Sequence, residues 1–523
     1  MKGNSRTNIK PLRYRKTLKP ILEVLKEQLF FSEISCPYEL FVALYHIGLP
    51  FEEKLINLSS QPEGNVFMGD LISQPLMNQN NEFSLYTVLE DLIPQIDDEI
   101  KAQALLIALL SRLDNFLAGI DSDEFQFSTD VSERLRNPNY YSPIIPNKGL
   151  NPAIMSYQII PQFPPVYQEW MGESSRLSQD SGYFSSTLAG TLLEHHCVIQ
   201  NKQVDSKDIL FINQEDSHIL SNFYRSLEGL EDLTIGLAAC DEGFHPVVKT
   251  SPGQKGKVGF QYTEMQSPIT GGVQKRLNEI LEESLSQAVN ILIFPELTID
   301  AGSCEQIKNW LQERNDDGII RLVVAGSFHY MSQEGHLVNR AIMLDGFGNE
   351  LWTHDKQKAF KLTDHNITSC QKKLRSKNKD GNLRDFFGLQ AGDCLEEPIW
   401  CDSPITFVDT PIGRMSTLIC LDYLLPKIGT ILGRVPCHYL WVPIMAFGAR
   451  DFHHMAKDDY GKKHAVLTAC CASISCCEIL QGNNNNLSFL YAPSLKFKAF
   501  PKTPQGTASK HPALQFYRLR DVL

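Results

Sequence analysis

Three polar residues stand at the ends of apolar runs, and their types are those that an acyl-transfer reaction needs. Glu296 closes "ILIFPE", Lys356 follows "ELWTHD" and Cys420 follows "RMSTLI". A free thiol with a pKa of about 8.5 is only slightly ionised at neutral pH. A nearby carboxylate can take its proton as the sulfur attacks a carbonyl or nitrile carbon. The charge that develops on the substrate's oxygen or nitrogen then needs a fixed cation or N–H donor. A lysine ammonium and the backbone N–H groups beside the cysteine can supply both. Attack yields a thioester, and the same carboxylate can activate a water to cleave it. Each residue alone has a plainer reading. A cysteine after an apolar run is most often structural, a Glu after Phe-Pro can cap a helix, and a lysine in "HDKQKAF" is ordinarily solvated. Together they point to amidase chemistry.

The elements that must hold these residues follow from the hydrophobic pattern. From about Leu233, short apolar runs alternate with helical segments. "LTIGLAAC", "NILIFP", "RLVVAGSFHY", "VNRAIMLD", "ELWTHDK", "GRMSTLIC", "HYLWVP" and "LSFLYAP" read as strands. "VQKRLNEILEESLSQA" reads as an amphipathic helix, and "DGFGNE" carries turn chemistry. Strands alternating with helices, with hairpins among them, imply a mixed sheet covered by helices over residues 230–523. Upstream, residues 20–135 read as an all-α domain. Its broadest stripe runs through Ile100, Ala104, Leu105, Ala108, Leu109, Leu113, Phe116 and Leu117. Residues 136–229 read as a Pro-rich connector, with 180–230 expected to be helical in part. No site is legible in the helical region, which suits an interaction or regulatory module with a protein partner.

Composition narrows the function classes. The formal net charge of −12 disfavours nucleic acid as the main partner. Residues 1–19 form a basic tail without an acid, expected to be solvated, with a transit signal or anionic-surface contact as the other readings. The apolar run "ALLIALL" falls far short of the ~20 residues that span a membrane. A cytoplasmic protein without a membrane span is therefore expected. The 13 cysteines are odd in number and show no disulfide framework. "CCASISCC", from Cys470 to Cys477, offers no second pair for zinc, so buried small residues are expected there and no metal site.

The order and wording of the segments around the three residues resemble the nitrilase, or carbon–nitrogen hydrolase, superfamily over about residues 230–500. "ILIFPEL" matches its Pro-Glu after an apolar strand. "VVAGSFHY" and "VNRAIMLDGFGN" match its Gly-Ser strand, its Asn before a strand and its Asp-Gly turn. "KQKAF" matches its lysine segment at Lys356 and Phe360, with Lys358 where the family has His. "GLQAGD" and "TPIGRMSTLICLDYLLP" match its Gly, Ile-Gly and Cys-x-Asp, with Pro426 following. The resemblance implies a four-layer α-β-β-α sandwich. It also implies Cys420 as nucleophile, Glu296 as general base and Lys356 as oxyanion stabiliser. Leu421 and Asp422 would support the oxyanion pocket. It further implies an amide-type small-molecule substrate with water as co-substrate, no cofactor, and a homodimer or larger assembly. A second acid is expected upstream of the Gly before the cysteine strand, and Asp385 falls there, a methylene shorter than the family's Glu. Lys427 stands where the family often has an acid. The basic stretch 361–384 is read either as a selector of anionic substrates or as a solvated insertion. The competing class is an inactive nitrilase-fold protein acting as an interaction or defence-effector module through its helical region.

Overall fold

The structure, a computed structural model, describes residues 233–240, 245–252, 256–267, 270–368, 383–410, 413–433, 437–445, 450–461, 465–472 and 488–491. It also describes 47–59, 93–117, 157–161, 196–200, 209–213, 507–508, 514–519 and a few isolated residues. The basic tail except Leu18, which is buried and donates its N–H to the Glu99 carboxylate at 3.0 Å, the helix expected from Ile21 except Leu22, most of the connector, residues 369–382 and Cys476–Cys477 lie outside these. Two compact units are present: residues 1–163 with 182–204, and residues 164–181 with 205–523.

In the first unit the described helices are α1 (Glu52–Ser59) and α2 (Glu99–Leu117). Asp98 caps α2, its Oδ1 accepting the Lys101 N–H at 2.7 Å. Ala104, Leu105, Ala108, Leu109 and Leu113 of the expected stripe are buried, but Ile100, in the first turn, is exposed. The unit is not all-helical. Strands β1 (Tyr157–Pro161) and β2 (His196–Gln200) pair antiparallel inside what reads as a connector. The described residues of 180–230 are strand rather than helix. β3 (Ile209–Asn213) is likewise strand and belongs to a sheet of the second unit, so that sheet begins before residue 230.

The second unit is an α/β sandwich of mixed sheets. A seven-stranded sheet has the order β10-β9-β8-β7-β4-β19-β18, comprising β4 (Thr234–Ala238), β7 (Ile291–Ile293), β8 (Leu322–Met331), β9 (Leu337–Asp345), β10 (Glu350–Asp355), β18 (Thr507–Ala508) and β19 (Leu514–Arg518). A six-stranded sheet has the order β17-β16-β15-β14-β13-β3. Its further strands are β13 (Ile405–Thr410), β14 (Gly413–Thr417), β15 (Cys437–Ile444), β16 (Ala465–Ala472) and β17 (Phe489–Tyr491). Cys470 and Cys471 are buried in β16. Helices α3 (Gly272–Ser286) and α4 (Ala301–Arg314) cover the seven-stranded sheet. Their Leu277, Ile280, Leu281, Ile307 and Leu311 pack with Leu292 and Phe294. A third, four-stranded sheet was not legible in the sequence. It has the order β11-β12-β6-β5, from β5 (His245–Pro252), β6 (Lys257–Gln266), β11 (Lys361–Leu362) and β12 (Cys394–Glu396).

Two features of the seven-stranded sheet aim side chains. In β9, Ile342 and Leu344 face the helices, so Asn339, Ala341 and Met343 face the other way. The Met343 Sδ accepts from Thr417 Oγ1 of β14 at 3.5 Å, which identifies that face as the one toward the six-stranded sheet. In β8 a register shift between Val324 and Ser327 reverses the alternation. Val323 and Ala325 face the helices before it and Phe328 after it. Ser327 and His329 thereby turn to the interior face. Gly326 makes the shift with φ +58°, and a Cβ there would lie 2.2 Å from the Pro295 carbonyl oxygen. The glycine is required on both counts.

Candidate active site

Glu296 sits in the turn that follows β7. Phe294 N donates to Val324 O, keeping the chain on the sheet, and Leu297 then turns with φ 55°. Ser327 fastens this turn: its N–H reaches Pro295 O at 3.3 Å, and its Oγ accepts from Leu297 N at 3.3 Å. Lys356 directly follows β10, and its N–H donates to Asn339 O at 2.8 Å. Cys420 opens a 3₁₀ turn (Cys420–Leu424) three residues after β14, with φ 50°. That left-handed conformation costs a non-glycine residue about 1–3 kcal/mol and is typical of residues held for function.

The three side chains meet in the interior. Lys356 Nζ donates to Glu296 Oε1 at 2.7 Å, and the Cys420 thiol lies within interaction range of the Glu296 carboxylate and the Lys356 ammonium. All three residues are at most 2% exposed. Asp422 ties the cysteine turn to the lysine. Its Oδ1 and Oδ2 each accept the Gln357 N–H at 2.9 Å, and its Oδ2 lies 3.5 Å from His354 Nε2. Leu421, beside it, is half-buried.

Asp385 does not join them. It lies exposed on the short helix α5 (Leu383–Phe387). The second acid at Lys356 is Glu397, directly after β12 of the four-stranded sheet. Its Oε2 accepts Lys356 Nζ at 2.7 Å and Phe360 N at 2.9 Å. Its Oε1 accepts Asn339 Nδ2 at 2.8 Å and pairs with His329 Nε2 at 3.0 Å. Asn339 Nδ2 also reaches Glu296 Oε1 at 3.1 Å, so one amide bridges the two carboxylates. Glu397 lies beyond "GLQAGD", in "CLEEPIW", next to a second Glu. Its one sequence signal is a carboxylate closing a short strand before Pro398. Lys358 and Lys427, where the sequence departs from the family pattern, are both exposed.

The two carboxylates are electrostatically unlike. Burial pushes Glu397 up, but the Lys356 ammonium and the His329 hydrogen bond outweigh it and hold the carboxyl at about 2. Glu296 is raised above the ordinary Glu value. Burial dominates, Lys356 opposes it, and the negative charge of Glu397 adds to it. Burial lowers Lys356, yet its two carboxylate partners more than compensate and keep it a firm cation. Burial and then the Glu296 charge push the Cys420 thiol well above its usual range. The resting arrangement is thus a protonated thiol, a basic carboxylate, an ammonium and a permanent second carboxylate. Among the described residues, no group of three His, Cys, Asp or Glu could hold a metal ion, and no helix is long and apolar enough to cross a membrane.

No protein-family model matches the sequence, and no curated protein does. Among solved structures, similar chains are drawn from the nitrilase superfamily. Nit3 of Saccharomyces cerevisiae, a member of branch 10 of that superfamily, is 13% identical over 46% of this chain and 75% of its own, with a TM-score of 0.27. An amidase from Nesterenkonia sp. is 13% identical over 55% of this chain and 89% of its own, with a TM-score of 0.30. A mutant of the Nesterenkonia sp. AN1 amidase, 12% identical over 55% and 89%, with a TM-score of 0.30, carries the acetamide moiety of fluoroacetamide covalently at its active site cysteine.

Proposed function

We propose that the second unit is a carbon–nitrogen hydrolase that cleaves a small amide-type substrate through a thioester on Cys420. The observation that carries this reading is the buried contact of three groups: a thiol on a carboxylate of raised basicity, with an ammonium 2.7 Å from that carboxylate. A thiol so far above its usual range stays protonated, so sulfur attacks the substrate carbonyl as its proton passes to Glu296. The carbonyl π electrons move to oxygen, and the resulting oxyanion lies against Lys356 Nζ. Collapse breaks the C–N bond, and the amine leaves with the proton held by Glu296. Glu296 then takes a proton from water as its oxygen attacks the thioester carbon; collapse breaks the C–S bond, the Cys420 sulfur takes the proton back from Glu296, and the carboxylic acid is released. Glu397 supports this by fixing Lys356, and its four hydrogen-bond donors leave it no capacity to act as a base.

The test is covalent. Fluoroacetamide is expected to label Cys420 in the full-length chain in preference to the other twelve cysteines, located by peptide mass spectrometry. Labelling, which displaces fluoride from the methylene carbon and forms no oxyanion, should fall about 100-fold or more in Glu296→Gln, the scale of a lost general base, and should also slow in Lys356→Ala, which removes the ammonium that holds Glu296 in place. Labelling unchanged in both variants would sink the reading.

A further inference from the structure

Resting on the reading above, we infer that His329 is a positioning residue: it holds Glu397, and through it Lys356, in place for the reaction. The imidazole has two polar contacts. Its Nδ1 accepts the Tyr262 N–H at 2.8 Å, and its Nε2 lies 3.0 Å from Glu397 Oε1. An N–H donor at Nδ1 leaves no room for a proton there, so the ring's hydrogen is on Nε2 and is donated to the carboxylate. Both side chains are fully buried. Phe260, Tyr262 and Phe328 surround the ring at centroid distances of 5.9, 6.0 and 6.4 Å and fix its plane.

The register shift at Gly326 gives this contact its meaning. Unbroken alternation would place His329 on the face of Ala325, against the helices. The shift turns it to the face of Asn339 and Lys356 instead. Tyr262 lies in β6 and Glu397 directly follows β12, which pairs with β6, so the histidine joins two strands of the four-stranded sheet to the site. The chemistry suits a neutral donor. A cation here would lower the basicity of Glu296, and an apolar side chain would leave Glu397 Oε1 one donor short. Histidine with a fixed tautomer supplies a hydrogen bond without a charge.

The alternative role is packing alone, and two substitutions separate the roles. Gln can donate to Glu397 but lacks the ring, whereas Leu fills apolar space and cannot donate. The fluoroacetamide labelling rate of Cys420 in the full-length chain is expected to fall about tenfold or more in His329→Leu, the equivalent of one hydrogen bond to a charged group. It should return to within about threefold of the unsubstituted rate in His329→Gln. Equal rates in His329→Leu and the unsubstituted chain overturn the inference, as does a Gln variant slower than the Leu variant. The Glu296→Gln arm, run alongside, keeps the failures apart. If it labels slowly while His329→Leu labels normally, the hydrolase reading stands and only His329 falls. If the unsubstituted chain does not label selectively, both fall. Should His329→Leu not fold, nitrogen-15 spectra of histidine-labelled protein decide, with His329→Gln assigning the signal. A protonated Nε2 and bare Nδ1 at neutral pH are expected, and a protonated Nδ1 overturns the inference.

Discussion

At the scale of single residues, the site separates two glutamates of the same type by their surroundings. Glu397 receives four donors and stays anionic. Glu296 receives Lys356 and Asn339 on one oxygen and keeps capacity for the thiol proton. The pH dependence of Cys420 labelling should report this. A base works only when unprotonated, and Glu296 is raised above the ordinary value of 4.5, so the acid limb should lie above pH 4.5. The sign of each neighbour's effect is also fixed. The charge of Glu397 raises Glu296, so Glu397→Gln should move the acid limb to lower pH. Lys356 lowers Glu296, so Lys356→Met should move it to higher pH. Labelling rates measured from pH 4 to 9 check both, and shifts of the same sign would contradict this electrostatic account.

At the scale of elements, the groups of the candidate site are held at or just beyond the ends of β7, β10, β12 and β14, and by the kink in β8. The kink is the most exacting of these. Gly326 needs both a positive φ and the space beside the Pro295 carbonyl oxygen, and Pro295 precedes Glu296. Gly326→Ala should therefore destabilise the fold by about 3 kcal/mol or more, from backbone overlap together with left-handed strain. It should also slow Cys420 labelling, because Glu296 must move with Pro295. Denaturant melts and the labelling assay test the two effects. Gly335→Ala makes a control, since its added Cβ meets nothing within 4 Å at the β8–β9 turn although φ is +80°. It should cost only the local strain and leave labelling intact.

At the scale of the whole molecule, β3 moves the edge of the second unit upstream of residue 230. β3 pairs parallel with β13 along five residues, from Ile209–Ile405 to Asn213–Asp409. A chain begun at residue 225 lacks this strand and leaves the β13 edge unpaired. Unpaired edges lose ladder hydrogen bonds and invite association between chains. A chain begun at residue 164 retains the whole second unit. The shorter chain is expected to melt at lower temperature and to aggregate, and the longer one to label at Cys420 like the full-length protein. Equal melting temperatures, by calorimetry, would show that β3 contributes nothing to the sheet. If the longer chain labels at a different rate, the first unit influences the site.

What the sequence determined by itself was local. Glu296, Lys356 and Cys420 stand out because each closes an apolar run, and β4, β7 to β10, β14, β15 and β17 because their apolar residues cluster over a few positions, whereas β5, β6, β11, β12, β13 and β16 do not stand out in this way. The pattern of turn residues placed the β9–β10 hairpin, where Asp345 Oδ1 accepts the N–H groups of Phe347 and Asn349 at 2.8 Å each. Tertiary structure decided what depends on register and on segments distant in the chain. Asp385 stands at the expected distance before a glycine, yet it is exposed on α5. Which carboxylate reaches Lys356 depends instead on the pairing of β12 with β6, more than a hundred residues apart in the chain. His329 was visible within "VVAGSFHY" but had no assignable face, since one extra residue in a strand reverses every side chain beyond it. Composition and periodicity report the chemistry available and the elements that carry it. Which groups touch is set by bulges and strand pairings, whose energies arise from contacts between residues far apart in sequence.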